Sequence, residues 1–135
     1  MIAYGEWGPA DAAPLIAIHG ITASHLAWSE LARALPHRRI IAPDLRGRGA
    51  SSDLPGPWGM ERHAADVIEL MDHLGIAKAP FVGHSMGAFV AAVAVHLYPA
   101  RVSSVLLVDG GLTLQLPPGF TLNDSTRMLG PAAER

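Results

Sequence analysis

Short apolar runs alternate along the chain with stretches in which apolar residues recur every three or four positions. The runs lie at residues 15–18, 39–42, 81–82 and 102–108, and a glycine, proline or aspartate follows closely after each. Strands whose consecutive residues are apolar are typical of a sheet that is covered on both faces. We therefore predict four parallel strands at these positions, and an antiparallel edge strand at residues 2–7.

Three helices are predicted between these strands. Residues 26–35 have apolar side chains at helical spacing, and Ser24 is placed to cap the first turn. Residues 60–74 form one apolar stripe that ends at Gly75, and residues 86–97 are apolar almost all round. This order of elements predicts an α/β fold, with a mostly parallel sheet, helices on both faces and right-handed crossovers.

Composition and charge narrow the class of protein. The 135 residues suffice for a single hydrophobic core, and with 50% hydrophobic residues a disordered chain is excluded. A net charge of −2 gives no reason to expect nucleic acid or a membrane surface as a partner. The chain has no cysteine, which excludes a thiolate nucleophile and fits a cytoplasmic location, and no pair of histidines has the spacing of a helical zinc site.

The sequence Gly83-His84-Ser85-Met86-Gly87 matches the pattern G-x-S-x-G between a predicted strand and a predicted helix. In that context the serine lies on a sharp, strained turn that exposes its Oγ, and both glycines avoid collisions with the neighbouring strand and helix. The N-terminus of the helix places N–H groups where an oxyanion would form. We predict that Ser85 is a nucleophile; the alternative is a serine in an ordinary exposed turn.

The segment that begins at His19 follows the first predicted parallel strand. Gly20 would let the backbone turn, so that the Ile21 N–H joins the Met86 N–H as the second donor of an oxyanion hole. The alternative is a simple bend between a strand and a loop. His19 and His84 are predicted to order the loops around the site rather than to act as a base.

A glycine-rich loop with two arginines, residues 44–52, follows the second predicted parallel strand. A phosphate-binding loop is the alternative, but neither G-x-x-x-x-G-K-[ST] nor G-x-G-x-x-G is present. We predict a structural loop in which Asp44 and Arg46 hold backbone groups around the floor of the site.

Four segments in register resemble the successive landmarks of the α/β-hydrolase superfamily, and they lie at residues 19–22, 43–51, 82–87 and 108–111. The branch resembled is the serine esterase-like one. The resemblance implies a nucleophile at Ser85, oxyanion-hole donors at Ile21 and Met86, a small ester, thioester or related carbonyl substrate, and no cofactor or metal. Serine at position 85 argues against the epoxide hydrolases and dehalogenases, which have aspartate there.

The chain departs from the superfamily in its catalytic base. The order in the superfamily is serine, then an acid, then histidine, but the only histidine after Ser85 is His96, about three turns along the same predicted helix. Asp109, after the last predicted strand, is a candidate acid, and the alternative is a strand-end cap. We expect residues 1–111 to form a truncated core that lacks the last strands, and residues 112–135 to begin a cap or lid or to form a disordered tail.

Other functions remain open. One is a non-catalytic fragment or a binding protein on a hydrolase scaffold, and another is cofactor-free proton abstraction. The truncated chain is expected to have weak or no activity. Residues 102–108 would form an exposed, apolar edge strand, which predicts self-association or aggregation through this edge.

Overall fold

The computed structural model describes residues 1–56 and 59–111 of the chain. Its strands and α-helices follow one another in the order β1 (Tyr4–Trp7), β2 (Pro14–Ile18), α1 (Ser29–Ala34), β3 (Arg39–Pro43), α2 (Met60–His73), β4 (Ala79–His84), α3 (Met86–Leu97) and β5 (Val102–Val108). Short 3-10 helices lie at His25–Trp28, Gly49–Ser51 and Pro99–Arg101. The predicted segment 112–135 lies outside the described residues.

The strands form one sheet in the order β1-β3-β2-β4-β5. The strand β1 pairs antiparallel with β3, and the pairs β2–β3, β2–β4 and β4–β5 are parallel. The predicted α/β class and the predicted antiparallel edge strand are confirmed. The parallel pairs follow from the helices that connect the strands, because a parallel neighbour needs a crossover of a dozen or more residues.

Helices cover both faces of the sheet. Successive residues of a strand point to opposite faces, so the residues of β2 show what packs on each face. In β2, Ile16 and Ile18 join the larger core together with residues of α2 and α3. Ala17, between them, joins a smaller cluster that contains Ala32 of α1. All three strand residues are completely buried, and each buried isoleucine contributes roughly 1.5–3 kcal/mol to stability.

The start of the first helix differs from the prediction, whereas its predicted cap is present. The predicted helix at residues 26–35 begins as the 3-10 helix His25–Trp28, and α1 proper starts only at Ser29. The predicted cap is present, since the Ser24 side chain accepts a hydrogen bond from the Leu26 N–H at 3.3 Å. No helix in the described ranges is long and apolar enough to cross a bilayer.

The strand β5 lies at one edge of the described sheet. Three of its apolar side chains are well exposed: Val105 at 39%, Leu106 at 62% and Val108 at 40% of their full areas. The described part of the chain therefore presents an apolar edge at the predicted position.

Candidate active site

Ser85 lies in a sharp bend between β4 and α3. Its backbone angles are φ 54° and ψ −117°, a region that a residue with a side chain rarely adopts. Such a conformation costs roughly 1–3 kcal/mol and persists only where the surrounding structure holds it. Here the Ser85 N–H donates to the carbonyl of Val108 at 2.9 Å, and the Ser85 carbonyl accepts from the Ala88 N–H at 3.0 Å.

The two glycines of the bend allow three pieces of backbone to approach closely. A Cβ atom on Gly83 would collide with the carbonyl of Gly87 in α3. A Cβ atom on Gly87 would collide with the carbonyl of Ile18 in β2. The glycines thus set the distance of the first turn of α3 from β4 and from β2.

The loop after β2 packs directly against this bend. A Cβ atom on Gly20 would lie 3.4 Å from the Cβ of Ser85 and 3.4 Å from Nδ1 of His84. Ile21, the next residue, therefore lies beside the N-terminus of α3, where Met86 is the first helical residue. The first N–H groups of an α-helix have no partner within the helix, so they are available to an anion.

His19 is completely buried and orders two loops. Its Nδ1 lies 2.6 Å from the Gly20 carbonyl, and its Nε2 accepts a hydrogen bond from the Leu45 N–H at 3.0 Å. Burial lowers the pKa of His19 to about 4, although the Gly20 carbonyl opposes this effect. The ring is therefore neutral at pH 7, with both nitrogens engaged, and His19 is not available as a base.

Asp44 anchors the glycine-rich loop. Its buried carboxylate accepts hydrogen bonds from the N–H groups of His25 at 2.7 Å and Ala50 at 2.9 Å, and it lies 2.8 Å from Nδ1 of His25. Burial alone would raise the pKa of Asp44, but these hydrogen bonds outweigh it and the pKa lies below its usual value. Gly49, at φ 51°, leaves room for this carboxylate, since its Cβ would lie 2.5 Å from Cγ of Asp44.

Arg46 ties the same loop to α2. Its guanidinium pairs with the carboxylate of Asp66 at 2.9 and 3.1 Å and donates to the Pro55 carbonyl at 2.9 Å. Arg46 thus holds a backbone group, and its side chain reaches toward α2 and not toward Ser85.

Two buried residues beside the site were not predicted. Arg48 is completely buried, and its guanidinium donates to the Ile21 carbonyl at 3.0 Å and to Sδ of Met86 at 3.6 Å. Nη1 of Arg48 also lies 3.3 Å from Nε2 of His63, which is buried on α2. Burial, followed by the charge of Arg48, lowers the pKa of His63 to about 3, so this ring is neutral and accepts the hydrogen bond.

Asp109 directly follows β5 and lies near the bend. Its φ is 55°, and the next residue packs under Ser85, since a Cβ on Gly110 would lie 2.8 Å from the Ser85 carbonyl oxygen. Within residues 1–56 and 59–111, the Asp109 carboxylate has no hydrogen-bond partner. The structure therefore brings Asp109 close to the nucleophile, but it does not pair it with a histidine.

None of the histidines that the structure describes is hydrogen-bonded to Ser85. His84 precedes the serine and is exposed, and His96 lies in the last turn of α3, eleven residues away. At a rise of 1.5 Å per residue this separation is about 16 Å. Among the same residues, no three His, Cys, Asp or Glu side chains come together to hold a metal.

Comparisons with known proteins identify the fold family of the chain. A sequence model of the alpha/beta hydrolase fold family matches residues 13–132. Lipase LipV from Mycobacterium tuberculosis is 37% identical over 112 residues, which are 81% of this chain and 41% of the lipase. A non-heme chloroperoxidase from Streptomyces lividans is 34% identical, over 92% of this chain and 44% of its own.

A solved structure gives the same result. The crystal structure of a hydrolase from Pseudomonas aeruginosa superimposes with a TM-score of 0.74 at 34% identity, and it covers 78% of this chain and 40% of that protein. The chain thus spans about two fifths of the length of the relatives that it matches.

Proposed function

The chain belongs to the alpha/beta hydrolase fold family, and from this premise we propose that it carries the nucleophile and the oxyanion hole of a serine hydrolase. Its substrate is a small ester, thioester or related carbonyl compound. A relative that is named a lipase supports an ester as the substrate class. A cytoplasmic location is part of the same proposal and rests on the absence of cysteine.

In this proposal Ser85 Oγ attacks the carbonyl carbon, and the carbonyl oxygen becomes an oxyanion. The N–H groups of Ile21 and Met86 donate to that oxyanion, in a position that the packing of Gly20 against Ser85 supports. A base must take the proton from Oγ as the new bond forms. The described histidines do not supply this base, so the chain by itself is expected to react slowly.

One observation carries the proposal: Ser85 is held at φ 54° between two glycines that allow no side chain. An ordinary turn serine would have no reason to retain a conformation that costs free energy. The strain has a use if the turn must aim Oγ away from the sheet and toward a substrate.

A fluorophosphonate probe tests the proposal, because it modifies an activated serine covalently. We expect slow labelling of the native chain at Ser85, identified by peptide mass spectrometry, and no labelling of Ser85→Ala. Ser103→Ala, which removes an exposed serine of β5, is the matched control and should label like the native chain. Labelling that survives Ser85→Ala would refute the assignment.

A second candidate function is a non-catalytic role on the same scaffold. The observation that favours it is the absence of a histidine hydrogen-bonded to Ser85 among the residues that the structure describes. A folded native chain that takes up no probe at Ser85 over many hours would favour this second function over the first.

A further inference from the structure

The guanidinium of Arg48 contacts both residues to which the proposed function assigns an oxyanion-hole donor. Nε donates to the Ile21 carbonyl at 3.0 Å, and Nη2 lies 3.6 Å from Sδ of Met86. We propose that Arg48 is a positioning residue that sets the separation and direction of the two N–H donors. This inference rests on the proposed function and adds a residue to it.

The geometry of arginine explains how one side chain performs this task. Nε and Nη2 form one edge of a planar, rigid guanidinium, so the two contacts have a fixed spacing. One contact is made to a carbonyl on the loop after β2, and the other to the first side chain of α3. The edge therefore spans the two elements that supply the donors.

The other side of the guanidinium is held as well. Nη1 donates to the Arg46 carbonyl at 3.0 Å and lies 3.3 Å from Nε2 of His63. These partners belong to the glycine-rich loop and to α2, neither of which contributes a proposed donor. Two elements thus hold Nη1 of Arg48, while Nε and Nη2 contact the donor residues.

Holding the Ile21 carbonyl acts on the Ile21 N–H through the backbone. The carbonyl and the N–H flank the same Cα, so a fixed carbonyl restricts rotation about the bonds that aim the N–H. Oxyanion stabilisation depends steeply on donor placement, and a displacement of about 1 Å costs up to roughly 100-fold in rate. The Gly20 carbonyl, which shares a peptide plane with the Ile21 N–H, contacts Nδ1 of His19 at 2.6 Å and accepts from the Ala23 N–H at 3.2 Å. Arg48 adds a restraint on the other side of the Ile21 Cα.

A burial cost supports a specific role for this arginine. Arg48 is completely buried, with 0% of its area accessible to solvent. Arginine is almost never fully buried without partners. A side chain that only filled space here would be better tolerated as an apolar one.

The test measures the rate of fluorophosphonate labelling at Ser85 as a function of probe concentration. This separates the maximal rate constant, which reports on the oxyanion hole, from the half-saturating concentration, which reports on binding of the probe. We expect Arg48→Met to lower the maximal rate constant about 10- to 100-fold and to leave the half-saturating concentration within about twofold. Arg48→Lys, which retains a charge and a donor, should recover part of the rate.

Arg101→Lys is the matched control. Arg101 also donates to backbone carbonyls, those of Ala77 at 2.6 Å and Ile76 at 2.9 Å, but these lie in the segment before β4 and not at the bend. We expect it to label at the native rate. Circular dichroism verifies that each variant is folded.

The outcomes separate the two proposals. If the native chain labels at Ser85 and folded Arg48→Met labels at the same maximal rate, the positioning role is wrong while the nucleophile stands. If Arg48→Met does not fold, the decision falls on Arg48→Lys, and a native maximal rate in that variant overturns the inference. A folded native chain that is not labelled overturns the proposed function and this inference with it.

Discussion

At the scale of single residues, the backbone of Ser85 links stability to reactivity. At φ 54° and ψ −117° a glycine is free of the strain that serine or alanine must bear. We expect Ser85→Gly to be more stable than Ser85→Ala by about 1 kcal/mol, as the relief of strain exceeds the entropy cost of a glycine. Urea unfolding of both variants measures this difference, and both should lose probe labelling. Equal stabilities would show that the bend stores no strain.

Two buried histidines predict a dependence of stability on pH. The pKa values of His19 and His63 in the folded chain are about 4 and about 3, below the 6.5 of the unfolded chain. Between these values the unfolded state binds more protons, so stability falls as the pH falls through 6.5 toward 4. From pH 7 to pH 5 we expect each ring to remove about 2 kcal/mol of unfolding free energy. Urea unfolding at several pH values measures the loss.

A variant isolates one of the two rings. His63→Gln keeps an acceptor for Arg48 but cannot be protonated, so the loss of stability between pH 7 and pH 5 should shrink by about half. An unchanged pH dependence in this variant would assign the effect to other groups.

At the scale of elements, the glycines of the bend set the contact of α3 with the sheet. The Cβ of alanine at Gly83 would collide with the Gly87 carbonyl in α3, and at Gly87 with the Ile18 carbonyl in β2. Neither carbonyl can move unless its helix or strand moves. We expect each substitution to cost about 2–3 kcal/mol of unfolding free energy. Gly75→Ala is the control, because Gly75 has a φ of 71° but nothing within 4 Å of a new Cβ. Its cost should be near 1 kcal/mol, and thermal unfolding compares the three.

The pattern of apolar residues predicted most elements, because a strand that is buried on both faces of a sheet has a continuous run of apolar residues. The strand β4 shows where this pattern is incomplete: only residues 81–82 were predicted, whereas the strand runs from Ala79 to His84. Pro80 lacks an N–H and lies where the pairing of β4 with β5 shifts register. Gly83, near the other end of β4, has low strand propensity, so the local sequence alone did not show the full length of the strand.

The site was only partly predictable, because only contacts between residues close in sequence leave a local pattern. Gly83 and Gly87 lie two positions from Ser85, so their pattern indicates the crowding at the bend. The contact of Arg48 with Ile21 joins residues 27 positions apart, and an arginine between two glycines gives no sign of burial. His63 did leave a signal, because it lies on the same helical stripe as Met60, Ala64 and Val67.

At the scale of the whole molecule, the edge of the sheet at β5 is the feature that the described fold leaves least protected. An edge strand has unpaired N–H and C=O groups, and natural proteins usually protect it with charges, proline or a covering segment. The strand β5 has no charged residue, and Leu106 is 62% exposed. We therefore propose that two copies of the chain pair through β5.

Leu106→Lys tests this pairing, because a charge at the edge opposes contact with an identical strand. We expect light scattering at micromolar concentration to show dimers or larger species for the native chain and a shift toward monomer for Leu106→Lys. Leu26→Lys is the matched control: Leu26 is 64% exposed but lies in the 3-10 helix before α1, so its substitution should leave association unchanged. If Leu26→Lys also produced monomer, association would arise from general apolar exposure and not from strand pairing. A native chain that stays monomeric would show that the β5 edge does not recruit a second copy.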